Sequence, residues 1–97
     1  KSITVEKNDV GLNNEILESK VNIYPNPASA IVTIERGMKD VSKAVIYATN
    51  GQIMAEIKFL NATTQVDIQH WQSGIYFIHF KNDNGEFLFS KRLSVVR

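Results

Sequence analysis

The chain has 97 residues, 43% of them hydrophobic, a formal net charge of +1 and no cysteine. That length fits one domain with a modest core. A near-neutral balance supplies no field for holding phosphate backbones, so no nucleic-acid partner is expected. Without cysteine there is neither a disulfide staple nor thiolate chemistry. No apolar run approaches the roughly 18 residues of a membrane-spanning helix, and no N-terminal segment carries the pattern of a secretory signal. The sequence begins at Lys1 without a methionine, which leads us to expect a piece of a longer protein whose export signal lies upstream.

Residues 1–20 are the least patterned. Ile3 and Val5 alternate with Thr4 and Glu6, then Asn8-Asp9, Gly11 and Asn13-Asn14 interrupt. The composition reads as a linker or N-terminal extension; an edge strand added to the domain is the alternative. From Val21 the hydrophobic period is two. Val21 and Ile23 share a face, and the strand must end at Tyr24-Pro25-Asn26-Pro27-Ala28, which holds both prolines of the chain. Each proline fixes φ, removes a donor and pushes the preceding residue toward an extended conformation. A second strand over 31–35 places Val32 and Ile34 opposite Thr33 and Glu35. Gly37 opens a break. Residues 43–47 are apolar at Ala44, Val45, Ile46 and Tyr47, which predicts cover on both faces. Asn50-Gly51 signals a tight turn, because both residues accept positive φ at small cost. After it Ile53, Ala55, Ile57 and Phe59 are expected to face in, and Gln52, Met54, Glu56 and Lys58 out. Val66 and Ile68 mark a short strand.

Ser73-Gly74 precedes the most apolar run, with Gly74 expected where a side chain would obstruct. Tyr76, Ile78 and Phe80 lie on one face of that run; Ile75, Phe77 and His79 lie on the other. Asn82-Asp83-Asn84-Gly85 predicts a second hairpin. In the last strand, over 86–96, Phe87, Phe89, Leu93 and Val95 share a parity with Lys91. A buried unpaired lysine would be costly. Either the strand bulges between Ser90 and Arg92, or it lies at an edge where Lys91 reaches water. Strands at intervals of about ten residues with no helical period predict an all-β fold: an antiparallel Ig-like β-sandwich of about seven strands. A small barrel or a strand-exchanged dimer is the alternative.

Candidate chemistry is sparse. His70 and His79 lack companions at ligand spacing. Glu35, Asp40, Glu56, Asp67, Asp83 and Glu86 are scattered over turns and outward positions. The five glycines form no phosphate-cradling loop. No catalytic residue, metal or cofactor is therefore expected. Tyr24, Tyr47, Trp71 and Tyr76 could form a carbohydrate platform if exposed, though at strand spacing aromatics are more often core. The C-terminal run Lys91, Arg92, Leu93, Ser94, Val95, Val96, Arg97 reads either as a solvated edge strand or as a docking strand that adds to a partner sheet.

Four pieces occur in order: YPNPASAIVTI, KAVIYATNGQI, VDIQHWQSGIYFIHF and NGEFLFSKRLSVV. This set resembles the C-terminal sorting domain of proteins exported by the type IX (Por) secretion system of Bacteroidetes-type Gram-negative bacteria. The resemblance spans residues 21–97 and leaves 1–20 as an extension. Tyr24, Pro25, Asn26, Pro27 and Ala28 match the opening corner. Tyr47 and Gly51 match the next motif, but Ala48 stands where the family carries aspartate. Asp67 and the Ser-Gly-Ile-Tyr-Phe run containing Gly74 and Tyr76 match the third. Ser90, Lys91, Arg92, Leu93 and Val95 match the last.

What the resemblance implies is a non-catalytic address on a larger N-terminal cargo that crosses the periplasm and outer membrane to become secreted or cell-surface. The implied partners are the outer-membrane translocon with its shuttle proteins, and a sortase-like signal peptidase that cuts within residues 1–20. The implied recognition residues are Lys91, Arg92, Leu93, Val95, Val96 and Arg97. A homodimer through strand exchange remains open, as does an Ig-like carbohydrate- or protein-binding module.

Overall fold

Among the described residues seven strands form in chain order: β1 (Asn22–Tyr24), β2 (Ile31–Glu35), β3 (Lys43–Ala48), β4 (Ile53–Lys58), β5 (Thr63–Asp67), β6 (Gly74–Lys81) and β7 (Phe87–Val95). This computed structural model describes residues 20–96. Residues 1–19 and Arg97, with the linker, added strand and processing point expected on the former, lie outside the described residues. The strands build two antiparallel sheets, ordered β1-β2-β5 and β4-β3-β6-β7. The sheets stay open, so the fold is a sandwich and not a barrel. The fourth strand joins the third in the larger sheet, whereas an immunoglobulin constant domain places its fourth strand in the other sheet.

Period-two patterning decides which faces meet. Val32 and Ile34 from β2, Ala44 and Ile46 from β3, and Ile78 and Phe80 from β6 are all fully buried. Each larger one contributes about 1.5–3 kcal/mol through burial. Phe80 stacks on Phe89 of β7 with ring centroids 4.9 Å apart. Tyr76 carries its hydroxyl to the Gln72 carbonyl at 2.7 Å. A tyrosine on the sixth strand bonding back a few residues is the corner typical of Ig-like sandwiches.

The sequence pattern misplaces some faces, and two bulges explain why. Tyr47 pairs with Ile53 and Ile46 with Ala55, so Met54 is an extra residue. The extra residue flips the phase: Ile53 is exposed, and Met54 packs against the core. Likewise Lys81 pairs with Phe87 and Phe80 with Phe89, so Leu88 is extra, Phe87 faces solvent and Leu88 packs inward. An inserted residue bends its strand and re-aims what precedes it. The last strand is therefore regular between Ser90 and Arg92, and Lys91 is half-buried at an edge. β3 is covered fully on one face only, because Val45 and Tyr47 are half-buried.

Both hairpin turns form, each with its glycine at positive φ. Gly51 has φ +92°, and among the described residues no residue other than glycine has positive φ. Gly51 N–H donates to the Ala48 carbonyl at 2.9 Å and Ala48 N–H to the Gln52 carbonyl at 2.8 Å. These bonds define a three-residue loop closed by a left-handed glycine. Gly74 also departs from expectation: a Cβ there would meet nothing within 4 Å, and its φ of +151° is what requires glycine.

Candidate functional site

The terminal strand β7 is built as a core strand with one outer edge. Phe89, Leu93 and Val95 are buried, because alternate residues of a strand point to one face. Leu93 pairs with Tyr76 and Val95 with Gly74 on β6. Among the residues expected to meet a partner, Leu93 and Val95 thus present no side chain to solvent. Lys91 is half-buried, while Arg92 and Val96 are exposed; Arg97 lies outside the described residues.

In an antiparallel pair, a strand directs the N–H and C=O of alternate residues to one neighbour. On β7, Arg92 and Ser94 direct theirs away from β6, and the Tyr24–Ala28 corner meets them. Asn26 Nδ2 donates to the Arg92 carbonyl at 3.1 Å, and Ser94 N–H donates to Asn26 Oδ1 at 3.0 Å. Ala28 N–H donates to the Ser94 carbonyl, and Val96 N–H to the Ala28 carbonyl, both at 2.9 Å. Ala28 and Val95 form an isolated parallel bridge. The physical logic lies in the prolines. Pro25 and Pro27 have no N–H to give, so the Asn26 carboxamide supplies the donor and acceptor that a strand backbone would. Both X–Pro bonds are cis. Tyr24, Pro25, Asn26 and Pro27 are exposed while Ala28 is buried. The corner is a latch laid along the far half of β7.

The near half differs. The outward N–H and C=O of Ser90 and the N–H of Arg92 make no hydrogen bond among the described residues. A polar cavity of about 450 Å³ runs beside this open stretch, lined by Val21, Asn22, Ile23 and Asn26 on one side and Ser90, Lys91 and Arg92 on the other. Among the described residues the site is thus a short unpaired strand edge flanked by two basic side chains and bounded by the latch. Sequence reasoning found the strand and the corner separately. It missed that Asn26 joins them, for which the only local signal is a carboxamide between two residues unable to donate.

The remaining candidates do not converge on a reaction centre. Gly51 and Gly74 set backbone geometry, and Tyr76 is buried at the corner described above. His70 is exposed, and His79 sits between Tyr47 and Phe87, ring centroids 4.8 and 5.3 Å away. Among the described residues no three His, Asp or Glu side chains approach as metal ligands would. Trp71 is half-buried with its ring 5.1 Å from Tyr76, beside a cavity of about 510 Å³ at one end of the sandwich.

No curated protein matches the chain. A family profile described as the secretion system C-terminal sorting domain matches residues 22–95, from the first residue of β1 to the last of β7. With that match covering both sheets and the latch between corner and terminal strand, the chain belongs to the type IX secretion system C-terminal sorting domain family.

Proposed function

We propose that this domain is a non-catalytic address that directs a larger N-terminal cargo to the type IX outer-membrane translocon, and that the translocon and its shuttle proteins read the outer side of β7. Family membership supports the address role. The observation that carries the reading of β7 is the edge at Ser90 and the Arg92 N–H, unpaired among the described residues, beside exposed Arg92 and half-buried Lys91. Backbone groups at such an edge pair with an incoming strand, and flanking side chains add selectivity. Leu93 and Val95 act in this reading by holding the strand in place, and Val96 and Arg97 by extending it. A sortase-like peptidase would cut within residues 1–20, leaving a secreted or surface cargo. The same edge could admit a second copy of the chain, which sedimentation would detect.

The test is export of a periplasmic reporter fused ahead of residues 1–97 in a host with the secretion system. The intact fusion should reach the medium or the surface. Deleting residues 93–97 should hold it in the periplasm. Because that deletion also removes core side chains, a double charge reversal, Lys91→Glu with Arg92→Glu, is the cleaner probe: it should impair export while the domain stays folded by circular dichroism. Normal export of the charge-reversed fusion would remove β7's basic pair from recognition. Retention of the intact fusion would overturn the address role itself.

A further inference from the structure

The outer face of the four-stranded sheet carries a second feature, remote from the latch. Lys43 of β3 pairs directly with Lys58 of β4 on one side and with Lys81 of β6 on the other. Three lysines therefore stand in one row across three adjacent strands. Directly opposed residues have Cβ atoms only about 4.5–5.5 Å apart, and like charges so placed oppose folding. The neutral balance of the whole chain, +1, makes this a local concentration of charge and not a reflection of overall composition. None of the three forms an ion pair among the described residues.

The row also has shape. A cavity of about 430 Å³ is lined by Lys43, Lys58 and Lys81, with Val45, Glu56 and Gly85 among its walls. Gly85, in the β6–β7 turn, lines it without a side chain. Phe87, opposite Lys81, is 56% exposed and provides an apolar flank to the row. Glu56 is the only carboxylate among the lining residues, and it sits in the neighbouring row, opposite Val45. Three cations against one anion leave the cavity positive, and a concave positive site concentrates anions of small size and high charge.

We propose that the Lys58–Lys43–Lys81 row is a binding site for a small soluble oligophosphate, an anion with two or more phosphoryl groups. Ammonium groups contact phosphate oxygens through charge-assisted hydrogen bonds, and neutralisation removes the repulsion within the row. Bound anion should therefore raise the folding stability of the domain by mass action.

The experiment titrates the full 97-residue chain with pyrophosphate and tripolyphosphate at fixed ionic strength, following amide shifts by NMR and the melting temperature. Saturable shifts centred on Lys43, Lys58, Lys81 and Gly85 are expected, with a rise in melting temperature. Lys43→Gln should weaken binding by about tenfold, the effect of losing one charge-assisted contact, yet raise the melting temperature without ligand because the central repulsion is gone. Lys58→Gln, at an exposed position, serves the same purpose if the first variant folds poorly. Glu56→Gln should tighten binding. Sodium chloride reproducing the effect at matched ionic strength, Lys variants binding within about twofold of the parent, or binding to anionic phospholipid vesicles without any to the soluble phosphates would each overturn the proposal.

Discussion

The two edges of the larger sheet, β4 and β7, begin alike and end differently. Each follows a three-residue turn closed by a left-handed glycine, Gly51 in one and Gly85 in the other. Each then carries one extra residue, Met54 or Leu88, turned toward the core. Beyond the bulge, the inward residues of β4, Ala55 and Ile57, are only half-buried, and the strand ends at Lys58. β7 instead buries Phe89, Leu93 and Val95 and is fastened at its far end by Asn26 and Ala28. The same local device thus produces a lightly held edge and a firmly held one. What separates them is burial on one side and an external latch on the other. The C-terminal strand is consequently part of the core of this domain, and any partner that meets it in the folded state meets an edge, not a loose tail.

The largest effect should come from the core of β7. Leu93→Ala removes a fully buried side chain and should cost about 2–5 kcal/mol. Ile53→Ala, on the exposed start of β4, should change stability by no more than about 0.5 kcal/mol. Urea unfolding of both variants reads the contrast. Comparable losses at the two positions would mean that the terminal strand is not the better-held edge.

How much of this asymmetry is legible in the sequence depends on the kind of signal. Alternation at Val32 and Ile34, or at Tyr76, Ile78 and Phe80, is local, and it places those residues in the core correctly. The prolines mark the corner, and the Asn-Gly pairs mark the turns, because φ restrictions act within a residue or two. A bulge breaks the same reasoning. One inserted residue leaves the letters unchanged and inverts the faces before it, as Ile53 and Phe87 show. The Lys91 puzzle has another origin: the strand is regular there, Lys91 keeps the face of Phe89 and Leu93, and it is tolerated because the strand lies at an edge of the sheet, which no local pattern reveals. The site is less legible still. Asn26 and Ser94 are 68 residues apart, and nothing local pairs a carboxamide with a main chain so distant. The lysine row is likewise a property of register, invisible until β4, β3 and β6 are aligned.

The latch itself yields the next largest prediction. Asn26→Ala deletes the partners of the Arg92 carbonyl and the Ser94 N–H, two bonds at about 0.5–1.5 kcal/mol each. Amide exchange at Ser94 should quicken markedly, while amides along β4 keep their rates. Asn26→Asp preserves the acceptor for Ser94 and should lose less. If Ser94 exchange were unaltered in the alanine variant, the far half of β7 would owe its order to burial alone, and the two edges would differ in one respect instead of two.

The smallest effect examines the feature the edges share. Gly51 and Gly85 adopt φ of +92° and +81°, and a Cβ at either would meet no atom within 4 Å. Substitution to alanine therefore adds backbone strain without a steric clash, about 1–2 kcal/mol in each case. Because both turns use the same pair of main-chain bonds, Gly51→Ala and Gly85→Ala should destabilise equally, and asparagine at either position should recover part of the loss, since it tolerates the left-handed region better. Paired melting curves give the comparison. A clearly larger penalty at Gly85 would show that the β6–β7 turn does more than reverse the chain, so that the firmer hold on β7 starts at its first residue and not at the latch. Equal penalties would confine the difference between the edges to what happens after Met54 and Leu88.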